Sequence, residues 1–88
     1  MMDRYSAGML ARSLAGHDTG KLYIILRSEG QYVYLADGKI RTVDRPKKKK
    51  KKHVQPVCTQ CGAVGMEDAA VRRILKTYLK QEKGKQEA

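Results

Sequence analysis

The chain has no tryptophan and no phenylalanine, and its aromatic content is five tyrosines. That rules out a core built on large apolar rings and suits half-buried sheet positions, where a tyrosine ring packs while its hydroxyl stays wet. No apolar run approaches the roughly 18 residues needed to span a bilayer. Nor does Met1-Met2-Asp3-Arg4-Tyr5 lead into the hydrophobic core of a signal peptide, so a cytoplasmic location is expected. Two cysteines are too few to frame a secreted disulfide scaffold. Acids are scarce as well: nine Asp and Glu face nineteen Lys and Arg, for a net charge of +10. With 88 residues the chain can form one domain with a modest core. A deep enclosed active site is hard to build at that size, and no enzyme is expected.

What charge there is sits unevenly. Between Lys39 and Lys52 nine basic residues meet one acid, Asp44, leaving +8 in that segment and +2 in all the rest. Such concentration speaks of a polyanionic partner rather than of a fold. Solvated charged faces normally mix signs, whereas Lys47 to Lys52 is unbroken. A membrane-surface segment would interleave apolar residues, and none stand among these lysines. Nucleic acid is the partner expected; no membrane is.

Along the chain, 8–14 reads as a strand with Met9 and Ala11 on one face and Leu10 and Arg12 on the other. The turn Ala15-Gly16-His17-Asp18-Thr19-Gly20 follows. Residues 21–27 form the clearest strand, β-branched and aromatic, and 31–36 form another. Asp37-Gly38 suits a two-residue hairpin turn. It leads into an expected strand over 39–43, with Ile40 and Thr42 inward. Four short strands with tight turns suggest an all-β meander or small barrel. Pro46 ends the pattern, and the lysine run after it is expected to be extended and mobile through self-repulsion. Residues 53–55 return as a last strand that Pro56 stops.

The tail has helical spacing. Ala70, Val71, Ile74, Leu75 and Tyr78 share one side, while Arg72, Arg73, Lys76 and Lys80 crowd the other. The apolar stripe needs a partner, either the barrel or another protein, and the basic face could add contacts to nucleic acid. Gly84 and the residues after it are expected to fray. Cys58-Thr59-Gln60-Cys61-Gly62 looks like one zinc knuckle, but tetrahedral zinc needs four ligands. His17 and His53, or a second chain, could complete a site. The simplest expectation is two unlinked loop thiols, no metal and no cofactor.

The stretch from Gly8 through Leu26 resembles the KOW motif: a strand, the loop Ala15-Gly16-His17-Asp18, then Gly20-Lys21 and a second strand. Similarity continues through Leu35-Ala36-Asp37-Gly38-Lys39-Ile40-Arg41 and Arg45-Pro46-Lys47-Lys48-Lys49, ending near Lys52-His53. Together this resembles the short bacterial KOW-domain RNA-binding proteins, akin to KOW-bearing large-subunit ribosomal proteins of archaea and eukaryotes. The cysteine pair is not part of that resemblance. The resemblance implies a mainly β fold, a small Src-homology-three-like barrel over 6–56 that includes a basic arm over 45–53. A cysteine loop over 57–65, a C-terminal amphipathic helix over 66–81 and a disordered tail over 82–88 complete the expected organisation.

It also implies binding to structured RNA, ribosomal RNA or the ribosome, through the loop after the first strand. Gly16 and Gly20 would let the backbone approach phosphates and donate N–H groups to them. Arg12, His17 and Lys21 would flank that loop. Lys39, Arg41, Arg45, Lys47, Lys48, Lys49, Lys50, Lys51, Lys52 and His53 would extend the contact. The glycines could equally serve only the turn, and either histidine could be a bystander. Tyr32 and Tyr34 lie on one face, where Tyr23 could join them; they either pack or stack on bases. A DNA-binding or transcription-associated KOW protein is the alternative.

Overall fold

Glycine punctuates the first half of the chain, and the strands fall between the glycines. A computed structural model describes residues 5–60 and 67–86. In it β1 (Met9–Ser13), β2 (Leu22–Glu29) and β3 (Tyr32–Ala36) follow one another as expected. β4 (Lys47–Lys50), a single 3-10 turn over Lys51–His53, β5 (Val54–Gln60) and α1 (Asp68–Gln86) complete the order. All five strands join one antiparallel sheet in the order β4-β3-β2-β1-β5.

Period-two alternation buries both faces of β2. Tyr23 and Ile25 share a cluster with Ala11, Val33, Leu35 and Val54. Val33 and Leu35 lie on β3 and Val54 on β5, with two strands between them, so the sheet curls around this face. A register shift between Ile25 and Arg27 adds a residue to β2 and helps it bend. Leu10, Leu22, Ile24 and Ala36 face the other way and meet Val71 and Leu75 of α1. The partner of the helical stripe is therefore the sheet of the same chain. The result is a curled five-strand half-barrel with one helix on its outer face.

Several expectations need correction. Residues 39–43 form no strand. Asp37 accepts the N–H groups of Lys39 and Arg41, both at 2.9 Å, and the N–H groups of Asp37 and Gly38 donate to Arg41 O, closing a tight loop. Ile40 is 78% exposed rather than inward. The fourth strand is instead the lysine run itself, so Lys47–Lys50 is no mobile arm. Pro56 does not stop β5; it sits within that strand opposite Ala11, tolerated because β5 is a sheet edge. The helix runs to Gln86, past Gly84 where fraying was expected. The loop expected over 57–65 is partly strand, because the backbone of Cys58 belongs to β5. The Cys58 side chain and Cys61 lie outside the described residues.

The turn over 37–43 holds the start of α1. Asp68 accepts the Val43 N–H at 2.8 Å, and Arg72 donates to Gly38 O at 2.6 Å. Gly38 permits this close approach: a Cβ there would stand 2.5 Å from the Asp68 carbonyl oxygen.

Candidate nucleic-acid interface

Asp18 organises the loop between β1 and β2. Its Oδ1 accepts from Ser13 Oγ at 2.9 Å and its Oδ2 from the Tyr23 hydroxyl at 2.8 Å. Lys47 Nζ lies 2.9 Å from Oδ2 and Lys49 Nζ 3.4 Å from Oδ1. Lys49 also donates to Ala15 O at 2.9 Å. Burial alone would raise the Asp18 pKa. The hydrogen bonds from Lys47, Tyr23 and Ser13 and the charge of Lys49 outweigh it, holding the carboxyl well below its usual range. Burial, and then the Asp18 carboxylate beside it, push the Tyr23 hydroxyl up.

This contact explains why four of the six adjacent lysines, Lys47 to Lys50, can form a strand. Alternation splits the run across two faces. Lys47 and Lys49 turn inward opposite Leu35 and Val33 and share one carboxylate. Lys48 and Lys50 turn outward, and Lys48 Nζ stands 4.4 Å from the Tyr32 ring centroid. Arg27 lies over Tyr34 at 4.2 Å in the same way. Tyr32 and Tyr34 thus keep the shared face expected of them, but Tyr23 is buried on the opposite one. Because β4 is an edge, its outward lysines also discourage pairing with the edge of another chain.

Beyond β4, Lys51 stands over the Tyr5 ring at 5.2 Å and Lys52 is exposed. Together with Lys50, Gly30 and Gln31 they line a depression of about 330 Å³. His53 serves through its carbonyl, which accepts the Leu14 N–H at 2.8 Å. His17 is exposed on the loop, as are Arg41 and Arg45 in the 37–46 connection. Both loop glycines take φ of +89°. The Gly20 N–H, however, is committed to Ser13 O at 2.8 Å, so it is not the phosphate donor that the sequence suggested.

A second basic surface combines residues from distant parts of the chain. A groove of about 1000 Å³ runs between α1 and the loop. Arg12, Gly20 and Lys21 form one wall with Lys39, and Arg72, Arg73, Lys76 and Lys80 form the other. Leu22, Leu75 and Leu79 supply apolar lining. Among the described residues Asp37 is the one acid lining it, and that charge is answered by Lys21 at 2.6 Å. Burial opposes the charged form of Asp37, but Lys21 and the amides of Lys39 and Arg41 together lower its pKa. The cations of the helix are absent from the residues that the loop motif and lysine run suggest. Their grouping on one helical face was legible; their meeting with Arg12 and Lys39 was not.

No protein-family model matches the chain, and no curated protein matches it significantly. Among the described residues, no helix is long and apolar enough to cross a membrane.

Proposed function

We propose that this protein is an RNA-binding module of the Src-homology-three-like KOW type, acting without catalysis on structured RNA such as that of the ribosome. The observation that carries the reading is the outward display of cations without acidic partners. Lys48, Lys50 and Lys52 are exposed along the β4 side, and Lys39, Arg73, Lys76 and Lys80 around the groove. None of these has an ion-pair partner among the described residues. Phosphates spaced along a backbone match such a surface better than one compact anion does. The five-strand order, with β5 returning to β1 after a single 3-10 turn, is compatible with a small barrel of that type. A binding role also fits the perturbed groups. Asp18, Tyr23 and Asp37 each hold neighbouring turns through saturated contacts, as structural groups do.

Recovery of nucleic acid with the protein from cells, followed by ribonuclease or deoxyribonuclease digestion, tests this directly. Ribonuclease-sensitive material is expected, with binding that weakens steeply as salt rises. Material sensitive only to deoxyribonuclease would replace this reading with the DNA-binding one.

A further inference from the structure

We propose that the groove between α1 and the β1–β2 loop takes an unpaired, single-stranded stretch of RNA, an inference that rests on the RNA reading above. The walls and the floor of this groove ask for different things. Arg73, Lys76 and Lys80 recur along one side of the helix and face Lys39 and Arg12 across the opening. A row of that kind suits successive phosphates. The floor is leucine, and Leu79 is 41% exposed. A duplex turns its bases inward and offers such a floor nothing, whereas an unpaired strand can lay a base or ribose on it while its phosphates meet the walls.

The groove is also partly pre-arranged. Arg72 donates to Gly38 O at 2.6 Å and Arg12 to Gly20 O at 3.1 Å, which fixes a guanidinium on each wall before any ligand arrives. Its volume of about 1000 Å³ is ample for a nucleotide with its flanking phosphates, at the upper end of pockets that enclose small organic ligands. Acidic peptides would satisfy the walls, but their carboxylates bring no flat apolar face to the leucines.

The test is fluorescence anisotropy on the whole chain with a labelled oligouridylate of about ten nucleotides, within the footprint of small single-strand binders. An RNA duplex of equal length is measured beside it. Wild type should bind the single strand more tightly. R73A/K76A/K80A should lower that affinity at least about ten-fold and flatten the salt slope by about 2, near 0.7 for each lost phosphate contact. Leu79→Ser should weaken the single strand about five-fold, the scale of losing part of one leucine's burial, and leave the salt slope and duplex binding alone. All four positions are exposed, so the variants should fold, and circular dichroism melts check that they do. Arg73→Lys, which keeps the charge, should retain most of the affinity.

A triple variant that binds oligouridylate as wild type does would overturn the groove while leaving RNA binding intact. Preference for duplex, or equal weakening of both RNAs by Leu79→Ser, would overturn the unpaired-strand assignment. Displacement of the probe by polyglutamate at lower concentration than by unlabelled oligouridylate would assign the groove to acidic peptides instead. Failure of wild type to bind either RNA would bring down the RNA reading itself.

Discussion

The lysine strand and the C-terminal helix present their cations in opposite ways. In β4 the period of two sends Lys47 and Lys49 inward to Asp18 and leaves Lys48 and Lys50 outside. In α1 the stripe of Val71 and Leu75 lies down on the sheet, so Arg73, Lys76 and Lys80 all remain exposed beside the groove. The densest charge in the chain therefore spends half of its strand holding a loop, while the sparser helix displays its cations together. Charge density along a sequence is not charge display; the period of the element and the position of its apolar face decide that.

The change expected to disturb this contrast most is Asp18→Asn. It leaves two inward lysines without their counter-charge, and the Asp18 side chain is only 12% exposed. A loss of about 3 kcal/mol in urea denaturation is expected, because a charge left unpaired in a buried pair is costly. The same variant should flatten the acid limb of stability. In the folded protein the Asp18 pKa lies below its ordinary 3.8, so its contribution is complete well above that pH and fades as pH falls through and below it. Asp37 acts with the same sign. A variant as stable as wild type would mean that Asp18 does not hold β4.

Gly38→Ala should act on the helical side of the contrast and more weakly. Its Cβ would press on the Asp68 carbonyl at 2.5 Å and on Arg72 Cγ at 2.8 Å, at a φ of +79°. Overpacking of this kind is expected to cost about 2 kcal/mol and to loosen the wall that carries Arg72. Gly20→Ala meets nothing within 4 Å and bears only the strain of its positive φ, roughly 1 kcal/mol. Equal stabilities for the two variants would remove the docking role given to Gly38.

The finest division lies within the lysine strand. Lys48→Ser with Lys50→Ser should leave stability within about 0.5 kcal/mol and flatten the salt slope of RNA binding by about 1.4 to 1.8. Lys47→Ser with Lys49→Ser should do the reverse, lowering stability by about 2 kcal/mol as the charge-assisted hydrogen bonds to Asp18 and Ala15 are lost and Asp18 keeps only Ser13 and Tyr23, with the slope unchanged. If both pairs flatten the slope alike, the run is an arm after all and not an alternating strand.

Most of the sheet was legible because its signals are local. Glycine-bounded, alternating runs give β1, β2 and β3, and the spacing of Val71, Ile74, Leu75 and Tyr78 gives the helix; each depends on residues within a few positions of one another. The candidate interface was legible in part. Arg12, Gly20, Lys21 and Lys39 come together in one groove, and Lys48, Lys50 and Lys52 are exposed. The misplaced strand over 39–43 shows where local pattern misleads. Its alternation was real, but Asp37 found backbone donors within its own turn, and the edge of β3 was taken by lysines.

The sequence by itself determined the excess and position of charge, the early strands and the two faces of the helix, since periodicity and backbone freedom are properties of neighbouring residues. Tertiary structure alone decided that the first four lysines of the run would be a strand, because their counter-ion lies 31 residues from Lys49. It also decided that helix and loop would form one groove, because Arg72 finds its acceptor at Gly38, 34 residues earlier. Contacts at that range depend on how the sheet curls and where the helix comes to rest, which no local pattern encodes.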